Sequence, residues 1–284
     1  MGVRTVFPPR AGVSGHLGSG TASNRAASGS GRSSMNLRLE RDGPIGRLLI
    51  DRPEKRNAFT QEMWERFPVL IAAAMADRAI RVVVVQSSTP GMFCAGADIG
   101  ELIAHKANAL WLEDNQNAIN KTQHELARAK KPTIAFVDGD CIGGGCGIAM
   151  ACDIRIAAPE ARFGITPANL GLVYPLHDTK LLVDLVGPGQ AKRLLYSAQL
   201  IGAEEALRIG LIEEIGASPG ELASLIAAKS NYSTQETKII VRRILDGQND
   251  DDADSKRIFA EAFTKPDFTE GTSAFVEKRK PEFR

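Results

Sequence analysis

The chain has 284 residues, of which 43% are hydrophobic and 24% charged, enough for one large domain or a core with a small appendage. Its formal net charge is +1, so no global field draws it to nucleic acid or an anionic membrane, and an anionic ligand must be held by local features. No apolar run approaches the roughly 20 residues of a membrane-spanning helix, and neither a membrane nor a nucleic acid is an expected partner.

Residues 1–34 are rich in Gly, Ser, Ala and Arg and contain no Asp, Glu or Lys. Such a stretch buries no core and is expected to be disordered. It reads as a transit peptide, as the product of an upstream start with Met35 as the true first residue, or as a vector-derived extension. A non-functional extension is favoured, because organised sequence begins directly after Met35. The expected location is cytoplasmic, or the mitochondrial matrix if residues 1–34 are a transit peptide.

From there, residues 37–40 and 45–51 read as a strand pair turning at Asp42-Gly43-Pro44. Thr60 is a candidate N-cap for a helix to about Asp77, with Met63, Phe67, Leu70, Ile71 and Ala74 on one apolar stripe. Pro68 inside that stripe implies a kink or a weakened helix. Residues 82–86, 133–137 and 153–157 are β-branched runs expected of strands buried on both faces. Helices are expected over 109–129 and 144–151, and from about Thr179 onward nearly everything reads as helix, broken near Gly187, Gly202 and Ser218-Pro219-Gly220. The cysteines, Cys94, Cys141, Cys146 and Cys152, form no C-x-x-C and have no His pair at zinc spacing. They read as small buried residues of a reduced protein, and no metal site is expected.

Two segments share one grammar of buried strand, glycine-rich turn and short helix. In the first the turn is Pro90-Gly91-Met92-Phe93-Cys94-Ala95-Gly96-Ala97-Asp98; in the second it is Asp138-Gly139-Asp140-Cys141-Ile142-Gly143-Gly144-Gly145. Glycines let backbone approach a ligand closely, and the first N–H groups of a helix lack internal partners. Two such groups converging on one oxygen make an oxyanion hole. There is no G-x-x-x-x-G-K-[ST], which excludes a P-loop.

Four segments, in order, resemble the crotonase (enoyl-CoA hydratase/isomerase) superfamily from Met35 to Arg284. They are Arg52-Pro53-Glu54-Lys55-Arg56-Asn57-Ala58, Phe93-Cys94-Ala95-Gly96-Ala97-Asp98-Ile99, Val137 through Cys146, and Glu270 through Pro281. The resemblance implies an α/β fold, a spiral of ββα units over 35–218 carrying the acyl-CoA site, followed by a helical C-terminal region over 219–284 used for trimer contacts. It implies an acyl-coenzyme A thioester as substrate, with no separate cofactor because coenzyme A is part of the substrate, and a homotrimer or a hexamer built as a dimer of trimers. It places the oxyanion N–H groups on Ala97 and Gly144. Lys55, Arg56, Ala58, Ala95, Gly96, Asp98, Ile99 and Gly143 are expected along the coenzyme A path, with Phe275 and Lys278 reaching the coenzyme A of a neighbouring subunit; the Asp98 side chain itself reads as the cap of the short helix that follows it.

The chain departs from a hydratase where it matters most. The family's two proton-transferring carboxylates fall on Gly147 and Pro167, and neither residue can move a proton. Thr166-Pro167-Ala168-Asn169-Leu170-Gly171-Leu172-Val173-Tyr174 instead resembles a segment of methylmalonyl-CoA decarboxylase-like members. Loss of carbon dioxide makes an enolate without a base, so decarboxylation of a malonyl-type thioester is narrowly preferred, with Thr166 and Tyr174 orienting the carboxylate or supplying a proton. The alternatives are a hydratase or isomerase using other acid–base residues (His177, Asp140, Glu113 and Asp114 are candidates) and a binder without catalysis.

Overall fold

A computed structural model describes residues 36–283; the expected extension over 1–34 lies outside the described residues. Strands β1 (Leu37–Asp42) and β2 (Ile45–Ile50) form the expected antiparallel hairpin, with Leu37 opposite Ile50. Helix α1 (Gln61–Ala76) starts where Thr60 accepts a hydrogen bond from the Met63 N–H at 3.3 Å. Pro68 does not end it. A proline has no N–H for the carbonyl four residues earlier, and that carbonyl, on Trp64, instead accepts the buried Thr122 hydroxyl at 2.7 Å.

Next come β3 (Val82–Ser87), β4 (Gly91–Cys94), the short helix α2 (Ile99–His105) and the long helix α3 (Ala109–Ala127). Then follow β5 (Thr133–Val137), β6 (Gly139–Ile142), α4 (Gly144–Ala151), β7 (Ile154–Ala157) and β8 (Arg162–Gly164), closed by a single 3-10 turn over Pro167–Leu170. The first strand of each pair joins one sheet and the second joins another. β3, β5 and β7 pair in parallel, as do β4, β6 and β8. Each ββα unit is therefore one turn of a spiral stacked on the last. Both glycine-rich turns thus contain a strand that reads as loop in the sequence. Four residues beside glycine-rich turns are too few to show a side-chain period, and their pairing partner is the next turn of the spiral.

Helix α5 (Leu176–Ser197) is interrupted at Gly187, where φ is +72°. β9 (Ile201–Gly202), α6 (Ala203–Arg208) and β10 (Glu214–Ile215) follow, two short strands inside the stretch expected to be helical. They close the sheets in the orders β1-β2-β3-β5-β7-β10 and β4-β6-β8-β9.

The central strands β3 and β5 of the six-stranded sheet are buried on both faces, which is why they read as unbroken apolar runs. Val83, Val85, Ala135 and Val137 face the main core with Trp64, Phe67 and Ile148. Val82, Val84, Ile134 and Ile156 face Ala223 and Ala227 of α7 (Gly220–Ala227). α8 (Asn231–Leu245), α9 (Ala253–Ala262) and α10 (Pro266–Glu277) complete the chain. Among the described residues, no helix is long and apolar enough to cross a membrane.

Candidate active site

The first loop is held by the segment that precedes α1. Asn57, with φ +56°, is buried. Its amide donates to Ser87 Oγ and to the Met92 and Phe93 carbonyls, and its oxygen accepts from the Arg52 N–H. The Arg52 guanidinium donates to the Ala58 carbonyl and to Asp98, each at 2.8 Å. The backbone closes the remaining register: Ala95 N–H to Arg56 O, Phe59 N–H to Gly96 O at 2.7 Å, Asp98 N–H to Phe59 O at 2.9 Å. This is a parallel bridge of Phe59 with Ala97. In such a bridge Phe59 makes both bonds and the N–H of Ala97 points away. Among the described residues it has no hydrogen-bond partner.

The second loop meets it there. Gly143, at φ +52°, turns the chain from β6 into α4, so the Gly144 N–H is at the helix start and has no partner among the described residues. Gly96, at φ +93°, lies against it: a Cβ on Gly96 would stand 3.1 Å from the Gly144 nitrogen and 2.9 Å from the Ile142 carbonyl oxygen. Trp64 forms the other wall, since a Cβ on Gly144 would stand 3.1 Å from its ring. Ala97 and Gly144 are half-buried. Two unsatisfied N–H groups on adjoining loops with an open side can stabilise charge that develops on an oxygen.

Gly147 lies in α4, one turn beyond Gly144, and has no side chain because other groups fill its space. A Cβ there would stand 2.2 Å from Gln123 Nε2 and 2.3 Å from Asp178 Oδ1. Gln123 of α3 and Asp178 of the first turn of α5 are 0% and 1% exposed, and the amide donates to the carboxyl at 2.6 Å. Burial pushes the Asp178 carboxyl up to about 6, while hydrogen bonds from Gln123 and Tyr174 pull it down. Tyr174 is itself buried; burial, then the neighbouring Asp178, raises its hydroxyl. That hydroxyl donates to the Gly143 carbonyl at 3.0 Å. A carboxyl thus stands beside the position that lacks one, brought from another helix. The sequence reading did not single out Asp178 or Gln123; the four-residue spacing of Tyr174 and Asp178 across a helix start was the available signal.

The proposed replacements for the missing carboxylates lie elsewhere or are committed. Asp140 is paired with Arg162 at 2.7 Å and Arg56 at 3.0 Å. Glu113 and Asp114 are exposed on α3. The His177 imidazole is lowered by burial and then by His124, Arg128 and Arg242, which keep it neutral and unsuited to act as an acid. Pro167 opens the 3-10 turn, and the Thr166 hydroxyl before it makes no capping bond. Asp98 caps α2 at the Glu101 N–H, as its place before that helix predicts, and also pairs with Arg52. Ala95, Gly96 and Gly143 line the junction of the two loops. Ala58 is buried behind it, Ile99 is exposed at the start of α2, and Lys55 and Arg56 are exposed at its mouth. Phe275 and Lys278 are exposed at the end of α10, with Phe275 at 85%. No cluster of His, Cys, Asp or Glu fit to hold a metal occurs among the described residues.

The spiral of ββα units and the paired loops define a crotonase-like fold. The family model described as enoyl-CoA hydratase/isomerase matches residues 40–284, and the chain belongs to that family. It is 35% identical over 257 residues to the short-chain-enoyl-CoA hydratase of Clostridium acetobutylicum, covering 87% of this chain and 97% of the relative. It is equally 35% identical over 260 residues to the crotonyl-CoA hydratase of Syntrophomonas wolfei, again covering 87% and 97%. Among solved structures, an enoyl-CoA hydratase/carnithine racemase from Magnetospirillum magneticum superimposes with a TM-score of 0.84 at 27% identity, covering 88% of this chain and 95% of that one.

Proposed function

We propose that this chain acts on an acyl-coenzyme A thioester and carries it through an enolate whose oxygen is held by the Ala97 and Gly144 N–H groups. The observation that carries this reading is the pair of unpartnered N–H groups on adjoining loops, backed by family membership. Donors fixed in the backbone need no reorganisation when charge moves from the α-carbon to the thioester oxygen. Lys55 and Arg56 at the mouth are suited to coenzyme A phosphates, and Phe275 and Lys278 to those of a neighbouring copy in a trimer. The thioester brings coenzyme A with it, so no further cofactor is required.

Within that class we favour decarboxylation of a malonyl-type thioester. The C–C bond to the carboxylate breaks, its electron pair enters the enolate, carbon dioxide leaves, and one proton is then added to the α-carbon. That sequence needs a proton donor and no base. Hydration must both deprotonate water and protonate carbon, normally with two carboxylates. Gly147 and Pro167 supply neither, whereas the Thr166 hydroxyl, which makes no capping bond, and Tyr174 suit a departing carboxylate. Hydration of an enoyl thioester is the second reading, supported by the names of the relatives above and by the Asp178 carboxyl beside Gly147.

Mass spectrometry of products from methylmalonyl-CoA, malonyl-CoA and crotonyl-CoA tests the choice. Loss of 44 mass units from a malonyl-type thioester is expected. Brisk gain of 18 mass units on crotonyl-CoA, with the malonyl-type thioesters untouched, would establish hydration instead. Tight binding with no turnover of any thioester would leave only a binder.

A further inference from the structure

Gly147, Gln123, Asp178 and Tyr174 join three helices and the loop before α5 in one buried cluster. Asp178 Oδ1 accepts from Gln123. Among the described residues, Asp178 Oδ2 and Gln123 Oε1 are buried without a partner of hydrogen-bond geometry. The Tyr174 hydroxyl is close enough to the carboxyl to bond with it, yet its proton goes to the Gly143 carbonyl. A hydroxyl has one proton to give. With Tyr174 donating to Gly143, the oxygen of Tyr174 can be met by Asp178 only if Asp178 itself carries a proton. The ionised carboxylate would draw the Tyr174 proton away from Gly143. The pair therefore has two proton arrangements, and the switch between them swings a hydroxyl next to the residue that carries the oxyanion N–H.

We propose that Tyr174 and Asp178 form a proton relay that stands in for the two carboxylates absent at Gly147 and Pro167, with Tyr174 facing the α-carbon and Asp178 acting through it. The proposal rests on the acyl-CoA enolate reading and concerns protonation of the enolate, the step that decarboxylation and hydration share. When the enolate is quenched, the Tyr174 O–H bond breaks and its proton bonds to the α-carbon through the enolate electron pair, while the thioester carbonyl re-forms. The tyrosinate takes the proton of neutral Asp178, leaving a carboxylate braced by Gln123. After the product leaves, water returns a proton to Asp178 by way of Tyr174. In reverse, the ionised Asp178 accepts the α-proton through the same hydroxyl. Asp178 is 1% exposed and sits behind Tyr174, so it is a positioning and proton-storing residue. The other titratable groups facing the pair are Cys146 of α4 and Cys141 of β6. His177 is adjacent in sequence but is governed by His124, Arg128 and Arg242.

The test is exchange of α-protons of acetyl-, propionyl- and butyryl-CoA in D2O, read by mass spectrometry, beside calorimetric binding of the same thioesters. The wild type should exchange, with a rate rising as pH passes the Asp178 transition near 6. D178N should bind equally, exchange about 100-fold more slowly and lose that inflection; Y174F should bind and lose exchange by at least about 100-fold. D178E should recover part of the rate. Exchange in D178N and Y174F at the wild-type rate, or binding without exchange in the wild type, would overturn the relay. Failure to bind any of the thioesters would overturn the acyl-CoA reading and the relay with it. Should D178N fail to fold, Y174F alone carries the decision.

Discussion

Replacing Gly147 with alanine turns the crowding beside α4 into a measurable sign. A glycine-to-alanine change inside an ordinary helix stabilises by about 1 kcal/mol. Here the added methyl would stand 2.2 Å from Gln123 Nε2 and 2.3 Å from Asp178 Oδ1, both closed in by packing. Overpacking of that kind costs about 1–3 kcal/mol. Parting the 2.6 Å amide–carboxyl bond and leaving buried partners unmet costs about 1–3 kcal/mol more. The net effect of Gly147→Ala is a loss of about 3 kcal/mol, or roughly 6–12 °C in Tm for a domain of this size. Thermal and urea unfolding followed by circular dichroism measure it. Gly147→Ala combined with Gln123→Ala should recover part of the loss by opening space. A melting temperature unchanged or raised in the single variant would mean that the carboxyl and amide do not fill the site, and the reasoning about Asp178 would fall.

Gly96→Ala places a methyl at φ +93°, 3.1 Å from the Gly144 nitrogen; turnover should fall roughly 100- to 1,000-fold, as for removal of one oxyanion donor, with thioester binding measured alongside. The Asp178 carboxyl titrates near 6 in the fold against 3.8 unfolded, so the fold holds the proton more tightly. The stability this contributes is full below about pH 4 and is lost as pH rises through about 6. Relative to D178N, the wild type should lose about 3 kcal/mol between those limits in denaturant titrations; a parallel pair of curves would contradict the assignment. Thr122→Val removes the hydroxyl that meets the Trp64 carbonyl opposite Pro68 and should cost about 1–3 kcal/mol in the same unfolding assay. Restoring that carbonyl's partner with Pro68→Ala should make the Thr122→Val loss smaller.

The sequence by itself determined the ligand class expected, the strand-loop-helix units and the pair of loops that carry free N–H groups. Those are local properties: glycines at the turns, β-branched runs in strands buried on both faces, Thr60 and Asp98 as caps. It determined too that Gly147 and Pro167 cannot transfer protons, since that is a matter of residue type. Tertiary structure alone decided what stands in their place. Gln123, Gly147 and Asp178 come from three helices and meet only when the spiral closes, and a side chain reaching across helices leaves no periodic mark. The same is true of β4 and β6, four-residue strands that exist because the next turn of the spiral pairs with them. Asp98 reads from the sequence as the cap of α2, and its carboxylate does hold that helix start; its pairing with Arg52, far back in the chain, is what only the tertiary structure decided. A motif locates backbone; the direction of a charged side chain depends on partners far along the chain.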